Sequence, residues 1–161
     1  MINLKFEEAK IFKDTTNSLT FVKYNPDDDY FDFIAEQCNN KKFNHFIVTS
    51  NKMIELIISL VMDYKFELKK VEFMNDDENL YTEINDLVMK STNDSSTFIF
   101  LLRKLQLLSD EQSIDILKIF LKKRCKEKST QIKIQANGIF FIDKSSFQSY
   151  AQKLLDIISD S

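Results

Sequence analysis

Glycine and proline are nearly missing from this chain. There is one of each in 161 residues, where average usage would give about 11 and about 8. Few permissive or locked backbone points mean that most of the chain should be regular structure. The single glycine also excludes whole classes of chemistry. A phosphate loop needs two glycines before its Lys-Ser/Thr, and a dinucleotide fingerprint needs glycines in close succession. A nucleophile elbow needs one on each side of its serine. None can be built around Gly138 alone. Tryptophan is absent, and histidine occurs once, as His45. The two cysteines, Cys38 and Cys125, are too few for a disulfide scaffold, so reduced thiols in the cytoplasm are the expectation. Residues 1–10 lack the basic start and apolar core of a signal peptide. The longest apolar stretch, within Met53–Met62, is interrupted by Glu55 and Ser59 and is too short to span a bilayer.

What is abundant is phenylalanine, 15 residues, together with Ile, Lys, Asn and Asp. This is the usage of an AT-rich genome and fits a viral or mobile-element origin. Hydrophobic residues make up 43% of the chain, enough for one globular domain over residues 1–161 with its own core. The net charge of −3 is uneven. Residues 1–100 hold 18 acids and 11 bases, and residues 101–161 hold 7 acids and 11 bases.

Hydrophobic periodicity gives the order of elements. Ile2, Leu4 and Phe6 alternate as a strand, and Leu19–Tyr24 is a second one across the polar turn Asp14–Ser18. Asn25 caps a helix with Pro26 at its first position, Asp27–Asp29 in its first turn, and Tyr30, Phe31, Ile34, Ala35 and Cys38 inward. Phe43–Thr49 reads as a buried strand and Lys52–Tyr64 as a helix with one narrow polar stripe. Phe66–Met74 is a strand whose alternation slips at Lys69–Lys70, the mark of a bulge. Strand, helix and strand here predict a right-handed parallel crossover. A helix opens at Asp76–Glu78, and residues 97–108 suit a helix or a strand. Ser109 and Gln112 form a capping box for a helix reaching Lys126. Asn137–Gly138 then joins a hairpin, and Ser145–Gln148 caps a last amphipathic helix. The expected fold is α/β in the broad sense (mixed α+β). It has a mixed sheet of five to six strands with five to six packed helices, including the C-terminal hairpin and amphipathic helix.

Three functions compete. Exclusion of the catalytic signatures leaves a non-catalytic accessory factor that binds another protein, of the inhibitor, immunity or antitoxin type, with no cofactor and no membrane. The alternative is nucleic-acid binding. Residues 101–133 hold 9 bases and 4 acids, and Lys118, Lys122, Lys123, Arg124 and Lys126 would crowd one end of a basic helix spanning 110–128. That helix and the hairpin 131–142 match the layout of a winged helix, with a reading helix and a wing. The third is a metal-dependent nuclease. Pro26-Asp27 and Glu67-Leu68-Lys69 resemble the Pro-Asp…Glu-x-Lys signature of restriction-endonuclease-like enzymes. Two acids there would hold Mg²⁺ and a lysine would stand near the attacking water. Cys38, His45 and Cys125 lack the paired spacing of a zinc site.

Overall fold

The computed structural model describes residues 6–126 and 128–159, with the backbone alone at Cys125. The expected first strand therefore lies outside the described residues except at Phe6. From there β1 (Phe6–Lys13) runs into β2 (Leu19–Lys23) through a turn closed by Asp14. The Asp14 carboxylate accepts from the backbone N–H of Thr16 at 2.9 Å and of Ser18 at 3.0 Å. Asn17 takes the left-handed conformation there, φ 66°, which an asparagine tolerates.

The first helix starts later than its acidic run suggests. Asn25 closes only a turn, and Asp29 is the residue that caps α1 (Tyr30–Ala35), accepting from Asp32 N–H at 3.1 Å. Each of the three aspartates can cap. The last one sets a phase that lays Phe33 over Phe12, ring centroids 6.0 Å apart, and leaves Phe31, expected inward, 79% exposed. The helix widens into one π turn, Glu36–Asn40.

The expected buried strand after it shrinks to β3 (Asn44–His45), a two-residue antiparallel bridge to β1. Phe46 and Val48 go inward while Ile47 faces solvent. Next come α2 (Ser50–Met62), β4 (Glu67–Phe73), with the expected bulge between Leu68 and Lys70, and α3 (Glu78–Ser91). The ambiguous segment is helical throughout, as α4 (Ser95–Gln112), which ends at Ser113 with φ 55°.

The largest correction follows. The basic helix does not form: Ile116–Cys125 is a strand, β5, antiparallel to β6 (Lys128–Gln135). A spacing of four, as in Lys118 and Lys122, is one helical turn and equally two strand repeats. Ile116, Ile119 and Leu121 are buried on one side and the β-branched content favours the strand. β7 (Ile139–Asp143) and α5 (Phe147–Ser159) complete the chain.

The sheet order is β2-β1-β7-β6-β5-β4, and β3 pairs with β1 beyond the end of β7. The mixed α+β class holds, with seven strands and five α-helices among the described residues. Every strand pairing among the described residues is antiparallel, so the parallel crossover is not formed. β3 pairs with β1 and β4 with β5, so the two are joined through α2 without pairing with each other. Helices α2 to α5 cover one face, with Leu56, Ile57, Leu101, Leu105, Leu154 and Ile158 buried against Leu68, Val71, Ile119, Ile132 and Ile142. α2 lies between α4 and α5, which explains its narrow polar stripe; Ile58 and Met62 remain on its outer side. Ser50 Oγ and Ser109 Oγ both donate to Asp115 (2.8 and 2.9 Å), tying α2, α4 and the start of β5 together.

The free edge of β4 is closed by side chains of α3. Asn85 accepts from Val71 N–H and donates to the Val71 carbonyl. Tyr81 does the same at Phe73. Among the described residues, no helix is long and apolar enough to cross a membrane.

Candidate functional site

Because residues alternate along a strand, the face away from α2–α5 is legible from the register. Phe120 on β5 faces Lys133 on β6, which faces Phe141 on β7, which faces Glu8 on β1. Lys118 and Lys122 flank Phe120 on the same side, and Lys70 pairs with it across β4. α1 and its π turn cover only the end of this face, over Phe12. The middle stays open as a groove of about 440 Å³. Its lining holds three phenylalanines (Phe6, Phe120, Phe141), four lysines (Lys69, Lys70, Lys122, Lys133) and, among the described residues, no acid.

The ammonium groups already rest on the rings. Lys133 Nζ is 3.8 Å from the Phe141 centroid and 5.8 Å from that of Phe120, and Lys70 Nζ is 5.6 Å from Phe120. Burial, then repulsion from Lys118, lowers the Lys133 pKa; Glu8 and Glu72 oppose this. Burial likewise raises the carboxyl of Glu8, partly offset by Lys133. Glu67 pairs with Lys69 at 2.6 Å and Glu72 with Lys70 at 3.5 Å, so acids rim the groove without lining it.

Of the five residues expected in a basic patch, Lys118, Lys122 and Arg124 share this face. Lys123 points to the helical side, where Nζ donates to Tyr150 Oη at 3.4 Å. Lys126 is exposed in the turn after β5. Sequence reading missed Lys70, Lys133 and the three rings. The available signal was the two-residue alternation Lys118, Phe120, Lys122, Arg124, hidden by the helical reading.

A second cavity, of about 360 Å³, opens at the other end of the same face. Lys10, Tyr30, His45, Ile47, Met74 and Gln135 line it. Lys10 is 1% exposed; its ammonium donates to the Asn137 carbonyl and lies 5.3 Å from the Phe12 centroid. Burial brings its pKa down to about 8, with Cys38 opposing. Burial and then the Lys10 charge lower that of His45, so the imidazole is neutral at neutral pH. The unfolded lysine, with its ordinary value of 10.5, holds its proton between pH 8 and 10.5 while the folded one releases it. Stability therefore rises with pH across that window and is lowest below it. The gain should approach about 3 kcal/mol. Denaturant titrations at pH 7.5 and 10 should show it in the wild type and lose it in Lys10→Met.

The nuclease constellation is not assembled. Asp27 follows β2 at one edge of the sheet and Glu67 begins β4 at the other. Among the described residues, no three of His, Cys, Asp and Glu gather in a way that could hold a metal ion. The chain matches no family model, and neither a curated protein nor a solved structure matches it.

Proposed function

We propose that the protein is a non-catalytic binding module whose open sheet face holds single-stranded nucleic acid. One observation carries this: lysines and phenyl rings interleave in one groove without an acid in its lining. Phosphates pair with the ammonium groups, and unpaired bases stack on rings that a closed duplex could not reach. A phosphate that draws Lys133 and Lys70 off Phe141 and Phe120 frees the ring faces for stacking. The net charge of −3 keeps the polyanion away from the rest of the surface. An intracellular location belongs to the same proposal.

Fluorescence anisotropy with a labelled 12-nucleotide single strand and its duplex tests it. The single strand should bind more tightly, with affinity falling as salt rises. Phe120→Ala and Phe141→Ala should each weaken binding by about 1–3 kcal/mol. Equal binding of duplex and single strand, or no loss in either variant, would refute the reading.

A protein partner is the second reading, favoured by apolar side chains on the outside of the helical layer. Ile99, Phe100 and Leu107 on α4 are 51%, 57% and 47% exposed, and Ile58 and Met62 stand on neighbouring α2. Exposed apolar clusters of this kind mark contact sites. Failure to bind oligonucleotides, with light scattering showing a mass above the 19.0 kDa monomer, would favour it.

A further inference from the structure

We propose that the cavity beside Lys10 receives one unstacked base of the bound strand and favours a base with a carbonyl at position 4 of its ring, thymine or uracil, over cytosine, which has an amino group there. This inference rests on the single-strand reading above. The two cavities are consecutive on one face. β5 and β6 line both, with Phe120 and Lys133 in the first and Leu117 and Gln135 in the second. From Gln131 to Gln135 is about 13 Å along a strand. Lys118 pairs with Gln135 between them, where it can hold an intervening phosphate. A strand lying in the groove thus arrives at the second cavity with its backbone already neutralised.

The walls and the polar groups suit a base rather than another phosphate. Ile47 and Met74 are 65% and 57% exposed, and the Tyr30 ring closes the cavity with them. Flat apolar walls accept the faces of a base. Polar contacts are confined to a few points. Neither the Gln135 side chain nor the His45 imidazole makes a hydrogen bond among the described residues, and both line the cavity. Each can meet the pairing edge of a pyrimidine. Lys10 spends one proton on the Asn137 carbonyl and, having no acceptor, can only donate. Its side chain is buried at the cavity wall, so it acts through its charge, which favours the negative end of a carbonyl at position 4 of the ring over the positive end of the cytosine amino group.

Competition anisotropy with (dT)12 and (dC)12 at fixed salt tests the pocket. Wild type should prefer (dT)12 by about tenfold. Gln135→Ala, which removes an edge contact, and Ile47→Ala, which removes a wall, should bring the ratio toward one. Both are surface changes, and neither should alter the salt dependence set by the groove. A wild-type ratio near one, or a ratio unchanged in both variants, would overturn the pocket while leaving the groove intact. If neither oligonucleotide binds, the groove reading fails and the pocket with it.

Discussion

Replacing Gly138 with alanine should destabilise the protein by about 4 kcal/mol, the sum of backbone strain and overpacking, each costing about 1–3 kcal/mol. Gly138 has φ 88°, where any side chain is strained. It closes a three-residue loop between β6 and β7, one residue longer than the expected two-residue turn. The Gly138 N–H donates to the Gln135 carbonyl at 3.0 Å, and the glycine takes the left-handed position that follows such a turn. The space is also occupied. A Cβ here would lie 2.7 Å from the Phe46 carbonyl oxygen and 3.3 Å from that of Ile11. Both are backbone atoms, so neither can swing aside. The loop is gripped from two directions, by Ile11 N–H on the Gly138 carbonyl and by Val48 N–H on the Ala136 carbonyl, each at 2.9 Å. Relief of the clash would pull β3 from β1 at the point where β1 changes partner from β7 to β3. Urea unfolding of the wild type and Gly138→Ala measures the cost. A loss under 1 kcal/mol would show that the loop can move as a unit.

The second large effect is on binding. Lys122→Glu with Lys133→Glu should weaken single-strand affinity by about 100-fold at 50 mM salt and lower the salt slope by about 1.4. Each lysine that neutralises a phosphate contributes about 0.7 to the slope on a single strand. At that salt this is close to tenfold in affinity per contact, and the reversed charges add repulsion. Both side chains are half-buried by the groove rather than in the core, so circular dichroism should show an unchanged fold. Lys123→Glu is the internal control. Its side chain lies on the helical side, beside Tyr150 and Phe66, and its substitution should leave the slope where it was. Equal effects from the double variant and from Lys123→Glu would mean that the contact is not made by this face.

That control also marks where the sequence misled. Lys118, Lys122 and Lys126 at intervals of four look like a helical row, and a helix would have put Lys123 and Arg124 beside them. The strand instead keeps Lys118, Lys122 and Arg124 together and sends Lys123 across the sheet. Local pattern could not choose, because the deciding contacts are remote: Ile119 with Ile134 and Leu121 with Ile132, and Ile116 with Phe73. The same limit applies to Phe43–Thr49, where apolar composition foretold a buried strand and the antiparallel partner accepted only two residues. Features set by neighbours in sequence were read well. The slip at Lys69–Lys70, the turn of Asp14, the capping of α3 at Asp77 and the face of α5 all appear where the residues indicate. The groove was legible only in half, since Lys70, Lys133 and Phe141 come beside Phe120 through pairing that no single segment encodes.

The closure of β4 by Tyr81 and Asn85 limits how copies of this protein could join. An antiparallel sheet with two bare edges can add subunits without end, edge to edge, and become a fibre. Here Val71 and Phe73 already exchange their backbone hydrogen bonds with α3, which leaves β2 as the margin open to another strand among the described residues. Two chains meeting there would each consume the edge that the other needs, in a symmetric pair. With Val71 and Phe73 already engaged, such a pair has no second β2 edge to offer, which works against open-ended growth by strand addition.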